Sequence, residues 1–95
     1  MRVISRKALR DFAEKHRDTK TALDQWFRIT RRADWSSLTE ARRDFNHAEA
    51  VGRLTVFNVK GNRYRLIARV NYRTKRVFVR QVLTHEEYER RKWQE

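Results

Sequence analysis

A glycine–asparagine pair in the second half of the chain most constrains the fold. Gly61 and Asn62 separate two segments, 54–60 and 63–72, in which apolar and polar residues alternate. Such a pair favours a two-residue hairpin turn, because glycine adopts the positive φ of a type II′ turn without steric cost. The turn predicts five cross-strand pairs: Lys60–Arg63, Val59–Tyr64, Asn58–Arg65, Phe57–Leu66 and Val56–Ile67.

The predicted register sorts the side chains of this hairpin onto two faces, because side chains alternate along a strand. The first face is mainly apolar and is expected to form a core: Phe57, Val59, Tyr64, Leu66, Ala68 and Val70. The second face is a basic surface with apolar residues towards its far end: Asn58, Lys60, Arg63, Arg65 and Arg69, then Leu54, Val56 and Ile67. We expect function on the second face.

The other segments predict helices before the hairpin and one more strand after it. The expected elements are a short β-like start at 2–4, a helix from Ser5 to about Arg17, a second helix capped by Asp18 or Thr19, a third opened by a capping box at 37–40, a connection at 46–52, strands at 53–60, 63–72 and 76–83, and a short helix or turn at 85–93. This order predicts an α+β fold, with N-terminal helices on one face of a small antiparallel sheet.

The register of the last strand depends on a second turn, around Thr74 and Lys75. A two-residue loop there places Val77, Val79 and Leu83 on the core face, with Gln81 as the one polar residue among them. It places Phe78, Arg80, Val82 and Thr84 on the basic face. The end of that strand then returns beside the first turn. We therefore expect His85 to lie near Lys60, Arg63 and Arg65.

The charge balance indicates an anionic partner. The chain has 24 Lys and Arg against 12 Asp and Glu, a formal net charge of +12, which favours nucleic acid over an acidic protein or an anionic membrane surface. Ninety-five residues suffice for one domain, expected to span 1–95. Cysteine is absent, and we see neither a secretory signal nor an apolar run of membrane-spanning length, so we expect a cytoplasmic protein.

The residue types on the basic face suit cleavage of RNA without a metal ion. His16, His47 and His85 show no ligand spacing, and there is no Gly-rich phosphate loop. RNA supplies its own nucleophile, the 2′-hydroxyl, so the protein needs cations and proton-transfer groups. Lys60, Arg63 and Arg65 supply cations, and the imidazole of His85 can exchange a proton near neutral pH. Tyr88 can hydrogen-bond the phosphate or stack on a base.

A non-catalytic RNA-binding domain remains open at this point, since it also uses a basic sheet with a nearby histidine. Three segments carry a closer resemblance, 55–67, 70–73 and 84–88, with looser matches at 33–35 and 45–48. Through them the chain resembles the HigB toxins, members of the RelE-like group of bacterial toxin–antitoxin proteins.

The resemblance implies an activity and partners. It implies helices packed on an antiparallel sheet, and cleavage of mRNA in the A site of the translating ribosome without metal or other cofactor. It implies inhibition by a HigA-type antitoxin with a helix-turn-helix domain, through which the complex binds operator DNA. A gyrase-directed toxin of the same fold is a further alternative.

The resemblance also assigns residues. The matching catalytic positions are Lys60, Arg63, Arg65, His85 and Tyr88. We expect Lys60 and Arg63 to hold the RNA backbone and Arg65 to stabilise the scissile phosphate. His85 would transfer a proton, and Tyr88 would orient the substrate or share that role. The expected contacts with RNA or the ribosome are Asn58, Arg69, Arg73, Arg76 and Arg80.

Overall fold

Five strands form one mixed sheet in the computed structural model, which describes residues 1–90 and 93. The elements are β1 (Arg2–Ile4), α1 (Arg6–Lys15), a 3₁₀ turn (Arg17–Thr19), α2 (Lys20–Arg32), α3 (Leu38–Asp44), β2 (Glu49–Val51), β3 (Leu54–Val59), β4 (Tyr64–Asn71), β5 (Arg76–Thr84) and α4 (His85–Glu89). The strand order is β1-β5-β4-β3-β2. All neighbours are antiparallel except β1, which runs parallel to β5. The predicted α+β class is confirmed.

The hairpin between β3 and β4 has the predicted register from Val59–Tyr64 to Val56–Ile67. The N–H of Arg63 donates to the carbonyl oxygen of Lys60 at 3.3 Å, and Gly61 has a φ of 66°. Lys60 also adopts a positive φ, of 53°, which was not predicted and is uncommon for a residue with a Cβ. The side-chain alternation of β3 therefore ends at Val59.

The helices cover the predicted core face, with Phe57 at the centre of an aromatic cluster. Phe57 is fully buried, and its ring centroid lies 5.5 Å from that of Trp26, 6.1 Å from that of Trp35 and 5.3 Å from that of Phe45. Each buried side chain of this size stabilises the fold by about 1.5–3 kcal/mol. α2 contributes Leu23 and Trp26 to this core, and both side chains are buried.

The helix starts lie close to the predicted positions, but their caps differ. Ser5 precedes α1 with a φ of 75° and makes no side-chain cap. The hydroxyl of Thr19 donates to the carbonyl of His16 at 2.6 Å, so it closes the 3₁₀ turn instead of capping α2. Ser37 caps α3 as predicted by accepting the N–H of Glu40. The expected capping box is only half formed there, because the Glu40 carboxylate accepts from the N–H of Ser36.

The predicted connection at 46–52 was partly wrong, since it contains β2. This short edge strand pairs with β3, with Ala50 opposite Thr55. Gly52 and Arg53 form the turn that follows, so β3 begins at Leu54 and not at Arg53. Three residues offer too short a pattern to indicate a strand from sequence.

The predicted register between β4 and β5 was wrong. Asn71 pairs with Arg76, which leaves a four-residue turn at 72–75 in place of the expected two-residue loop. The side chain of Asn71 accepts the N–H of Thr74 at 3.0 Å, and Lys75 adopts a φ of 60°. The side-chain hydrogen bond of Asn71 and the positive φ of Lys75 thus stabilise this turn. In most such turns a glycine supplies the positive φ.

A β-bulge at Arg80 changes the faces of the residues that follow it. Ala68 pairs with Val79 and Ile67 with Gln81, so Arg80 is the extra residue. Val82 therefore packs in the core beneath the helices, whereas Leu83 points to the opposite face. The sequence-based assignment had these two residues reversed. Gln81 is exposed, which removes the polar residue that the predicted register placed in the core.

The second face of the sheet is not uniformly basic. A second apolar cluster lies on it, formed by Leu54, Val56, Ile67, Leu83 and Trp93, with Val51 and Tyr88 packed against it. The predicted C-terminal helix or turn is present as α4, which ends at Glu89. The part of that prediction that falls on residues 91 and 92 lies outside the described residues.

Candidate functional site

The turn between β3 and β4 and the start of α4 meet at one end of the sheet. The N–H of His85 donates to the carbonyl oxygen of Arg63 at 3.0 Å, and Tyr64 pairs with Thr84 directly beside this bond. The predicted proximity of His85 to Arg63 is confirmed. His85 still reaches Arg63 although the predicted register of β5 was wrong. The extra residue at the bulge compensates for part of the lengthening of the turn at 72–75.

A complete capping box fixes the first residue of α4. The hydroxyl of Thr84 accepts the N–H of Glu87 at 3.2 Å, and the Glu87 carboxylate accepts the N–H of Thr84 at 2.9 Å. The Thr-x-x-Glu pattern at 84–87 is the sequence signal for this start. The imidazole of His85 is 53% exposed, with Nε2 3.5 Å from the Glu89 carboxylate, and is thus open to a substrate.

Arg65 lies on the second face and is held at its guanidinium group. Its Nη1 donates to the carbonyl oxygens of Asn62 at 3.0 Å and Tyr64 at 3.2 Å, and its Cζ lies 5.2 Å from the centroid of the Tyr88 ring. Nε and Nη2 make no hydrogen bond within residues 1–90 and 93. Two adjacent donors of this kind match the geometry of a phosphate.

Tyr88 is half-buried between the site and the second apolar cluster. Its ring stacks on that of Trp93 with centroids 5.0 Å apart and planes 15° apart. Trp93 Nε1 donates to the carbonyl oxygen of Tyr88 at 2.9 Å. Trp93 thus covers part of the ring that sequence analysis offered as a stacking surface for a base.

Lys60 points away from the second face, contrary to the prediction. Its Nζ lies 3.0 Å from Asp18 Oδ2, and the same carboxylate accepts the hydroxyl of Tyr64 at 3.0 Å. The physical reason is the positive φ of Lys60, which ends the strand alternation. The hydrogen bond from Lys60 is the main cause that lowers the pKa of Asp18. The pKa of Tyr64 is raised, mainly by partial burial and secondly by its hydrogen bond to that carboxylate.

His16, which follows the last residue of α1, packs beside this group. Its ring stacks on Phe12 with centroids 4.4 Å apart and meets the edge of Tyr64 at 5.6 Å. Sequence reasoning missed Asp18 and Trp93 as neighbours of the site. Asp18 lies 42 positions from Lys60, and no local pattern links the two.

The residues predicted to contact RNA or the ribosome lie at three places along the sheet. Asn58 pairs with Arg65 and belongs to the site end of the sheet. Arg69, Arg73 and Arg76 lie at the other end of β4 and β5. Seven steps along a strand separate these ends by about 23 Å. Arg80 lies between them at the bulge.

Two observations on the described residues concern metal binding and membrane insertion. Among residues 1–90 and 93, no three His, Cys, Asp or Glu side chains lie close enough together to hold a metal ion. In the same part of the chain, every helix is too short or too polar to cross a membrane.

Comparisons with known proteins point to one family. Residues 19–91 match the family described as HigB toxin, RelE-like toxic component of a toxin–antitoxin system. The chain is 30% identical over 93 residues to the mRNA interferase HigB of Escherichia coli O6:H1, covering 95% of this chain and 90% of that protein. It is 32% identical over 92 residues to the mRNA interferase toxin HigB of Escherichia coli K12 and to the mRNA interferase HigB of Shigella flexneri, covering 94% of this chain and 88% of each.

Proposed function

This chain belongs to the HigB family of RelE-like toxins, and from that premise we propose that it inhibits translation by cutting mRNA in the A site of the ribosome. Its relatives from Escherichia coli and Shigella are named mRNA interferases, which are endoribonucleases. As the toxic component of a toxin–antitoxin system, it has an antitoxin as its partner.

The observation that supports this proposal is the meeting of cations and a histidine at one end of the sheet. The bond between the backbones of His85 and Arg63 places an exposed imidazole beside the turn that precedes Arg65. Arg65 presents donors suited to a phosphate on the second face of the sheet. A protein that only binds RNA needs the cations but has no use for a proton-transfer group at that place.

The proposed reaction uses the RNA as its own nucleophile. The 2′-hydroxyl oxygen attacks the adjacent phosphorus, a bond forms between O2′ and P, and the bond between P and O5′ breaks. One group accepts the 2′ proton and another donates a proton to O5′. The products are a 2′,3′-cyclic phosphate, which can open to a 3′-phosphate, and a 5′-hydroxyl.

Each side chain has a role in this proposal. Arg65 stabilises the charge that develops on the phosphate, as preorganised donors do in other phosphoryl and acyl transfers. His85 transfers a proton, and Tyr88 orients the substrate or shares the proton transfer. Lys60 and Arg63 hold the RNA backbone. An ammonium has three N–H donors, so Lys60 can bind a phosphate while it contacts Asp18.

The proposed partners follow from the same family assignment. A HigA-type antitoxin with a helix-turn-helix domain would hold the toxin inactive and carry the complex to operator DNA. The arginines at the far end of the sheet would contact ribosomal RNA, since phosphate contacts position a protein without reading sequence. This reaction requires the toxin to act in the cytoplasm, where ribosomes translate.

Primer extension on a defined mRNA tests this proposal. The mRNA is supplied on purified translating ribosomes and, as a control, without ribosomes. We expect cuts only on ribosomes, at the codon in the A site. Equal cutting of naked mRNA would contradict ribosome dependence. Tight, salt-sensitive RNA binding without any cut would favour the non-catalytic binding domain.

A further inference from the structure

We propose that Trp93 is a positioning residue of this site, which holds Arg65 in place through Tyr88. The inference rests on the proposed function for its catalytic consequence. Its structural part concerns how the C-terminal segment is anchored to the second face of the sheet. Within the described residues, the ring contact and the hydrogen bond of Trp93 both go to Tyr88.

The anchor of Trp93 is the second apolar cluster. Only 7% of Trp93 is exposed, and it packs with Leu54, Val56, Ile67 and Leu83 on three neighbouring strands. A buried indole removes a large apolar area from water, and a sheet is a rigid support for it. The position of Trp93 is therefore fixed by strands that do not depend on the site.

Two contacts with Trp93 restrain Tyr88. The indole stacks on the phenol ring, and its N–H bonds the carbonyl oxygen of Tyr88 at 2.9 Å. That carbonyl belongs to the last turn of α4, whose carbonyls have no i+4 partner within the helix. A helix of only five residues is unstable on its own, so α4 needs such tertiary contacts.

Tyr88 in turn restrains the guanidinium of Arg65. The cation lies 5.2 Å from the ring centroid, within the range of a cation–π contact. The carbonyl oxygens of Asn62 and Tyr64 hold only Nη1. The ring of Tyr88 lies against the guanidinium and adds a restraint to those of the two hydrogen bonds.

Loss of Trp93 should therefore cost rate more than affinity. A displacement of about 1 Å at a catalytic group can lower a rate by on the order of 10²-fold. We expect Trp93→Ala to reduce the rate of mRNA cleavage at saturating toxin by about tenfold or more, in line with that effect. The toxin concentration that gives half the maximal rate should change little, because the cations that bind RNA remain.

The experiment is single-turnover cleavage of mRNA on ribosomes by the wild type and five variants, with Tyr88→Ala as the reference for the double substitution. Trp93→Ala removes the stack and the hydrogen bond, whereas Trp93→Phe keeps a ring for the stack and should restore most of the rate. Trp35→Phe is the matched control, because Trp35 is 2% exposed and its Nε1 bonds Asp44 at 2.8 Å in the other core. It should lower stability without changing the rate. Trp93→Ala in a Tyr88→Ala background should add no further loss.

A second readout does not depend on activity. The Cζ of Arg65 lies 5.2 Å from the centroid of the Tyr88 ring, so the NMR signal of the adjacent Nε–H proton should carry a ring-current shift in the wild type. That shift should persist in Trp93→Phe and disappear in Trp93→Leu, which keeps an apolar anchor but no ring. Trp93→Leu also replaces Trp93→Ala in the kinetic test if the alanine variant does not fold.

The outcomes separate the two proposals. An inactive wild type with the expected NMR pattern would overturn the proposed function and support the positioning role. The positioning role would be overturned if Trp93→Ala or Trp93→Leu cleaved at the wild-type rate at saturation. It would also be overturned if the NMR signal of Arg65 were unchanged in Trp93→Leu. A loss that Trp35→Phe reproduces would also overturn it, because general destabilisation would then explain the effect.

Discussion

The N–H of His85 donates to the carbonyl oxygen of Arg63 at 3.0 Å, and this bond joins the first residue of α4 to the turn before β4. Both partners are backbone atoms. The two segments therefore stay together when either side chain is replaced. Substitutions at His85 and its neighbours can report on chemistry without dismantling the site.

Arg65→Ala should abolish most cleavage while ribosome binding is kept. The guanidinium is proposed to meet charge that develops only in the transition state, and removal of one such donor costs on the order of 10²–10³-fold in rate. Arg65→Lys should recover little, because an ammonium lacks the planar fork of donors. Single-turnover rates at saturating toxin, beside a ribosome cosedimentation assay, measure the two effects separately.

The matched control for Arg65 is Arg69→Ala. Arg69 lies on the same strand and face, four residues towards the far end of the sheet. Its loss should weaken ribosome binding and reduce the salt dependence of that binding, as for a phosphate contact. Equal rates for Arg65→Ala and wild type at saturation would show that Arg65 only binds.

His85→Ala should lower the cleavage rate by about 10²–10⁴-fold, the usual contribution of a proton-transfer group. His85→Gln keeps a hydrogen-bonding side chain but cannot exchange a proton, so we expect it to be as slow as the alanine variant. Thermal unfolding should change little in either, because the bond to Arg63 uses the backbone. A fully active glutamine variant would assign proton transfer to another residue.

Lys60 is expected to reduce the stability of the hairpin through its backbone. A residue with a Cβ costs about 1–2 kcal/mol in the left-handed conformation, and glycine avoids this cost. Lys60→Gly and Lys60→Ala both lack the ammonium, so a comparison between them isolates the backbone effect. Urea denaturation should find the glycine variant more stable by about 1 kcal/mol. Equal stabilities would mean that the turn relaxes to another conformation.

The contact between Asp18 and Lys60 predicts a pH dependence of stability. The ordinary pKa of an aspartate is 3.8, and the hydrogen bond from Lys60 lowers the pKa of Asp18 in the folded state. A lowered folded pKa stabilises the fold above pH 3.8, and that stabilisation is lost as the pH falls through the folded value. Asp18→Asn should therefore melt slightly below the wild type at neutral pH, as suits an exposed ion pair.

Thermal melting between neutral pH and pH 3 tests this difference, with Asp11→Asn as the control. Asp11 forms an exposed i, i+4 pair with Lys7 on α1, remote from the hairpin turn. The gap between Asp18→Asn and wild type should close at low pH. A gap that stays constant across the range would show that the carboxylate charge contributes nothing.

The features predicted from sequence are those with local causes. Gly61 and Asn62 define a turn by their own backbone preferences, and the register of β3 and β4 follows from it. The bulge at Arg80 was not predictable in this way, since it depends on how β5 packs between β1 and β4. The bulge also decides which of Val82 and Leu83 enters the main core.

The same distinction between local and tertiary causes applies to the residues of the candidate site. Arg65 and His85 were identified because the hairpin and the strand that follows it return to one place. The partners Asp18 and Trp93 reach the site from distant parts of the chain, where only tertiary packing determines the contact. The opening of α4 was predictable from the pattern at 84–87, which has the residues of a capping box.

The most direct test of the account is cleavage of ribosome-bound mRNA that carries a single 2′-deoxynucleotide on the 5′ side of the scissile phosphate. If the RNA supplies the nucleophile, this mRNA should bind and translate up to that codon but stay intact. The all-ribose mRNA should give a 2′,3′-cyclic phosphate and a 5′-hydroxyl. Cleavage of the deoxy mRNA at the wild-type rate, with a 5′-phosphate on the product, would contradict the mechanism.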